Sequence, residues 1–233
     1  MSEHEDLIRD IANALGEELV IEIAFVGGTT ISLHLDDAQP MDIRSTKDVD
    51  FIVSVASYVE YHNLIEKLKQ RGFKEQHEPD EDNEPLCRYV CRGIKVDVMP
   101  DNAEILGFSN QWFKVGREQA INHELPDGPT IKIVPANYLL ATKLEAFNGR
   151  GDSMLASRDA EDIVTLVNGR DSLIDEVENS PEELRGFISV EIGRFLNNKD
   201  FDYLLASAIP SESPDRLGLV KERFKQLSRI SSQ

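Results

Sequence analysis

Asp48 and Asp50 lie two residues apart in a stretch that reads Thr46-Lys47-Asp48-Val49-Asp50-Phe51-Ile52-Val53. Alternation with period two puts Val49, Phe51, Val53 and Val55 on one face of a strand and both carboxylates on the other. Side-by-side carboxylates repel unless a cation lies between them, and an all-oxygen ligand set suits Mg²⁺. Upstream, Phe25-Val26-Gly27-Gly28-Thr29-Thr30 joins a predicted strand to a predicted short helix at 29–35. A glycine pair before a helix lets backbone N–H groups come close to a phosphate. A third aspartate, Asp97, alternates against Ile94, Val96 and Val98 on a later predicted strand. These residue types, in this order, suit a metal-bound triphosphate.

The elements that must carry them can be read from periodicity and breakers. Leu7, Ile8, Ile11, Ala12 and Leu15 recur at helical spacing and stop at Gly16. Residues 19–26 read as a strand, 36–47 as a loop containing Pro40, and 48–55 as the aspartate-bearing strand. Ser57 and Glu60 form a capping box for a helix that closes at Gly72. An acidic loop runs from Glu78 to Pro85, followed by a hairpin of 86–92 and 94–99 around Gly93. Residues 100–129 look irregular and hold Trp112, and 130–134 form one more short strand. From Pro135 the pattern is helical, with helices at 137–147 and 157–167, and Ser180-Pro181 and Ser213-Pro214 opening two more. The fold class expected is α+β, a mixed sheet with flanking helices over 1–134 followed by a helical domain over 135–233.

Composition narrows the setting. The chain has 233 residues, 43 acidic against 25 basic, for a formal charge of −18. Such a balance opposes broad binding to nucleic acid or anionic lipid, without excluding a local basic groove. No apolar run approaches the roughly 20 residues of a membrane helix, and the acidic N-terminus lacks the order of a signal peptide. A cytoplasmic location with no membrane partner is the expectation. Cys87 and Cys91 would lie about 13 Å apart on a strand, too far for a disulfide, so buried thiols are expected.

The order Gly27-Gly28-Thr29, Asp48-x-Asp50, Asp97 resembles the DNA polymerase β nucleotidyltransferase superfamily. Four stretches are similar to the abortive-infection (AbiE-type, AbiEii) nucleotidyltransferase toxins: Phe25–Thr29, Arg44–Asp50, Ala141-Thr142-Lys143-Leu144-Glu145-Ala146, and Ser157-Arg158-Asp159-Ala160-Glu161-Asp162-Ile163. The likeness covers roughly residues 20 to 167, and the 18 residues between Thr29 and Asp48 exceed the superfamily's usual spacing. It implies a polymerase β-like fold and transfer of a nucleoside monophosphate from an NTP to an acceptor hydroxyl. The acceptor in related toxins is RNA, especially the tRNA 3′ end, and a separate antitoxin restrains the enzyme. Asp48, Asp50 and Asp97 would hold two Mg²⁺ ions, and Asp97 would help deprotonate the hydroxyl. Gly27, Gly28 and Thr29 would cradle phosphates, Arg44 would join nucleotide binding, and Asp159 matches an active-site aspartate of the toxins.

Lys143 lies four residues from both Leu139 and Phe147, on or beside the apolar stripe of its helix. A lysine there needs an anion, and the resemblance supplies the triphosphate; otherwise its stem covers apolar surface while the amine reaches water. Asp159 and Asp162 also suit a helix N-terminus on electrostatic grounds alone. Arg44 and Arg150 are candidates for phosphate or substrate contact. Arg216, Lys221, Arg223, Lys225 and Arg229 are candidates for one short basic patch. Two alternatives to an RNA acceptor stand beside it: transfer to a small molecule such as a cationic aminoglycoside or to a protein side chain, and a nucleotide-binding module without turnover.

Overall fold

The computed structural model describes residues 3–36, 46–76, 87–151, 153–209 and 214–230. Arg44, the acidic loop 78–85 and Ser213 lie outside them. The described residues form two compact units, one of 3–32 and 46–135, the other of 33–36 and 136–230.

The first unit opens with α1 (Glu3–Val20), which buries Ile8, Ile11, Ala12 and Leu15. Gly16, at φ +69°, interrupts its helical backbone, and a Cβ there would sit 2.2 Å from the Arg71 guanidinium. Helix resumes through Val20, so 19–20 are helical where a strand is predicted, and β1 (Ala24–Val26) is short. The apolar run does not separate the two: Leu19 and Val20 are buried as helix residues, and the Glu22 N–H closes the turn on the Leu19 carbonyl at 3.1 Å. β2 (Asp48–Val53) pairs antiparallel with β1, placing Phe25 against Phe51 with ring centroids 6.0 Å apart. The capping box at α2 (Tyr58–Gln70) is present: Ser57 accepts from the Glu60 N–H at 3.3 Å, and Glu60 reaches back to the Ala56 N–H at 2.8 Å.

Beyond β3 (Lys74–Glu75), strands β4 (Arg88–Cys91) and β5 (Ile94–Pro100) form the predicted hairpin. Its two central residues, Arg92 (φ 53°) and Gly93 (φ 80°), take left-handed backbone, as a two-residue hairpin turn demands. The stretch expected to be irregular contains α3 (Ala103–Leu106), α4 (Phe113–Glu118) and β6 (Ile121–Glu124). β6 is mostly exposed with a single apolar residue, so it shows no alternation to detect. With β7 (Thr130–Ile133) the strands make a seven-stranded mixed sheet ordered β3-β4-β5-β2-β1-β7-β6. β2 and β5 run parallel at its centre.

The second unit is helical: α5 (Ala136–Arg150), α6 (Arg158–Gly169), α7 (Leu173–Glu178), α8 (Glu182–Leu196), α9 (Phe201–Ala208) and α10 (Pro214–Arg229). α5 packs on α6 and α8, and α10 packs on α8 and α6. Phe195 is the hub of its core, with ring centroids 5.3 Å from Phe147, 5.9 Å from Phe201 and 5.7 Å from Phe224. Ser157 caps α6 by accepting from the Ala160 N–H at 3.3 Å. Among the described residues no helix is long and apolar enough to cross a membrane.

Candidate active site

In β2 the burial alternates as the sequence predicts from Asp48 to Phe51: Val49, Phe51 and Val53 are buried while Asp48 and Asp50 are half-buried on the other face, which closes over at the buried Ile52. Register then sets their neighbours. Asp50 stands opposite Val26 of β1 on one side and Asp97 of β5 on the other, and Asp97 stands opposite Arg88 of β4. Adjacent strands lie about 4.8 Å apart, so these four residues form one row across the sheet. Asp48, one pleat away, stands opposite Lys95. The structure thus brings Asp48, Asp50 and Asp97 to one face, from two parallel strands.

Gly27 follows β1 directly at φ +90°. A Cβ built there would lie 1.9 Å from Asp50 Oδ2 and 2.8 Å from its Cγ. The residue therefore has to be glycine twice over, for its backbone angle and for the carboxylate that lies against it. Residues Gly28–His34 form a 3₁₀ helix, with the Thr30 N–H and hydroxyl both donating to the Gly27 carbonyl at 3.2 and 2.9 Å. Thr29 is fully buried, and its Oγ1 has no hydrogen-bond partner among the described residues. A buried hydroxyl without a partner costs about 1–3 kcal/mol, which a ligand oxygen nearby would relieve.

Sequence reasoning missed Arg88 and Lys95. Arg88 grips Asp97 with both arms of its fork, Nε to Oδ1 at 2.9 Å and Nη2 to Oδ2 at 2.8 Å, with side chains 21% and 14% exposed. The hydrogen bonds to Asp97 come first among the causes that raise the Arg88 pKa, and the charge of Asp48 also adds. Cys87, next to Arg88, is buried, and burial followed by the charge of Asp97 pushes its thiol up to about 12. Cys91 is buried as well, so both thiols are free and enclosed, as expected.

The donor chemistry of this face fits a divalent cation at Asp48 and Asp50, which supply half-buried oxygen ligands from one strand face. Asp97 has its two oxygens on Arg88, and among the described residues no group of three or more His, Cys, Asp or Glu side chains is arranged to hold a metal ion.

Lys143 and Asp159 belong to the helical unit. Lys143 Nζ lies 3.2 Å from Asp159 Oδ1 and 2.7 Å from Asp162 Oδ2, and the three side chains are 13%, 2% and 7% exposed. The anion that Lys143 requires is thus present in its own unit. Arg150 donates to the other oxygen of Asp159 at 2.7 Å, closing a cluster of two acids and two bases. Asp159 lies in the first turn of α6, where the helix dipole also favours negative charge, and Asp162 follows it one turn later.

The C-terminal basic residues do not form the free patch considered from sequence. Arg216 and Arg223 donate to the Asn168 carbonyl at 2.6 Å each, satisfying the C-terminal end of α6. Arg223 also pairs with Asp171, Lys221 with Asp202 at 2.8 Å, and Lys225 and Arg229 with Glu222 at 3.6 and 4.0 Å. A separate cavity of about 500 Å³ in the first unit is lined by Ser54, Asn102, Glu104 and Lys114 among others, beyond the end of β2 opposite Asp48.

The family model of the nucleotidyl transferase AbiEii toxins of type IV toxin–antitoxin systems matches residues 12–188. No curated protein matches the chain. Among solved structures, an antigenic nucleotidyltransferase-like protein from Paracoccidioides brasiliensis is similar at a TM-score of 0.53 and 14% identity, covering 96% of this chain and 93% of that one. At that identity the likeness is one of fold.

Proposed function

The chain belongs to the AbiEii nucleotidyltransferase family, and from that premise we propose that it moves an NMP from an NTP to a hydroxyl of RNA, at the tRNA 3′ end, as the toxin of a toxin–antitoxin system. The observation that carries the reading is the row Val26, Asp50, Asp97 across β1, β2 and β5, with Gly27 folded against Asp50. Attack on the α-phosphate places negative charge on non-bridging and leaving oxygens, so the site must concentrate positive charge there. Asp48 and Asp50 would hold Mg²⁺, which would supply stabilisation of the negative charge that develops on the phosphate oxygens. The Gly27 and Gly28 N–H groups and the Thr29 hydroxyl would bind the β- and γ-phosphates. Asp97 keeps lone-pair sites beyond the two that face Arg88, and one of them would accept the proton of the attacking hydroxyl. An antitoxin encoded separately would counter the activity.

A second acceptor class is favoured by one observation: the charge of −18, together with the internal pairing of the basic residues on α10. Such a surface suits a cationic small molecule such as an aminoglycoside better than a long phosphate backbone. The test is incubation with each α-labelled NTP and Mg²⁺, with total tRNA, with an aminoglycoside panel, or alone. Label on tRNA supports the RNA acceptor. Label on the small molecule replaces it with the second reading, and label on the protein itself points to a side-chain acceptor. NTP binding without any transfer contradicts turnover altogether.

A further inference from the structure

Three acidic side chains on one sheet face face two built-in cations, Arg88 opposite Asp97 and Lys95 opposite Asp48. The formal charge of that group is −1, not −3. Arg88 is the better placed of the two, because it is only partly exposed and its planar fork matches both Asp97 oxygens at charge-assisted distances. We propose that Arg88 is a positioning residue for the transfer reaction. It holds Asp97 beside Asp50 when no divalent ion is near, and releases an Asp97 oxygen when that oxygen is needed as a metal ligand.

Two consequences follow. Asp97 needs no metal to orient it, since its rotamer is fixed by two parallel hydrogen bonds from a neighbouring strand. The same bonds compete with any ion that would take Asp97 as a ligand, so the apparent affinity is lowered by the fraction of time the pair is closed. A site in which Asp48 and Asp50 bind first and Asp97 joins only after Arg88 lets go fills in order.

The proposal rests on the cation site at Asp48 and Asp50, and the experiment separates the two. Mn²⁺ binding is measured by EPR for the wild type, Asp50→Asn, Arg88→Gln, Arg88→Lys, Asp97→Asn and the Arg88→Gln/Asp97→Asn pair. The expected result is tighter binding in Arg88→Gln by about tenfold or more. Arg88→Lys should fall between it and the wild type, and the gain should largely vanish in the double variant. Mn²⁺ binding that ignores Asp50→Asn overturns the cation site itself. Binding that needs Asp50 but is unchanged or weakened in Arg88→Gln overturns the role of Arg88 alone. A gain that persists in full without Asp97 also overturns it, because Arg88 would then act only through its field. If Arg88→Gln does not fold, the Arg88 Nε–H resonance of the wild type is followed through a Mg²⁺ titration. A signal that shifts as Mg²⁺ saturates supports release, and one that stays fixed contradicts it.

Discussion

Replacing Lys143 by Met should reveal how much of the helical unit depends on one buried amine. The substitution keeps the length and apolar stem of the side chain and removes the charge. Nζ lies 2.7 Å from Asp162 and 3.2 Å from Asp159, whose side chains are only 7% and 2% exposed. Asp159 retains Arg150, but that arginine is 59% exposed and can swing into water. Asp162 loses its 2.7 Å cation. Breaking a buried ion pair by removing one partner costs about 3–5 kcal/mol. Arg150 softens the loss at Asp159, so a destabilisation near the lower figure, about 3 kcal/mol, is expected. For a chain of this size that is a fall of roughly 6–12 °C in Tm. Urea unfolding followed by circular dichroism measures it. Adding Asp162→Asn should recover about half of the loss, since the second carboxylate then no longer needs a cation. A Lys143→Met protein within about 1 kcal/mol of wild type would refute the reasoning, because it would mean the cluster is far better solvated than its exposure indicates.

Gly27→Ala should cost about 1–2 kcal/mol for its left-handed backbone and displace Asp50, lowering label transfer by about a hundredfold or more; normal turnover would show that the close approach of Asp50 is dispensable. Thr29→Val should leave the urea midpoint unchanged or raised, since it removes a buried hydroxyl without a partner, while raising KM for the NTP; a stability loss above about 1 kcal/mol would mean the hydroxyl is satisfied. Alkaline stability should track Cys87. Its folded pKa is raised from 9.0 to about 12, chiefly by burial and then by Asp97, so the folded state keeps a proton that the unfolded chain releases. That contribution is complete below pH 9 and is lost as pH rises toward 12. Tyr89, raised to about 12 by burial, acts with the same sign. Unfolding free energies at several pH values above 9 should therefore fall less steeply in Cys87→Ala, and an unchanged slope would contradict the assignment.

Much of the site was legible because it depends on local rules. Period-two alternation was enough to place Asp48, Asp50 and Asp97 on faces opposite to Val49, Phe51 and Val96, and a glycine pair at a strand end signalled a sharp corner. The partners of those residues were harder, since they depend on register between strands distant in sequence. Arg88 is the instructive case. The turn residues Arg92 and Gly93 fix a two-residue hairpin in which Cys91 faces Ile94, and counting back three pairs sets Arg88 opposite Asp97. That signal was present in the hairpin and needed only the turn type to be read. The anion beside Lys143 is a different kind of miss. Two acids at the start of α6 match a lysine sixteen and nineteen residues earlier only once the packing of α5 on α6 is known. β6 left no pattern, because an exposed edge strand has no buried face to impose one.

Everything in the proposed chemistry turns on which phosphorus is attacked. Wild type and Asp50→Asn should each be given one NTP labelled at the α-phosphate and, separately, at the γ-phosphate, with Mg²⁺ and the acceptor preparation. The expected outcome is α-label on the acceptor with one pyrophosphate released per nucleotide in the wild type, and neither in Asp50→Asn. Label arriving from the γ-position, or transfer at the wild-type rate without the Asp50 carboxylate, would contradict it.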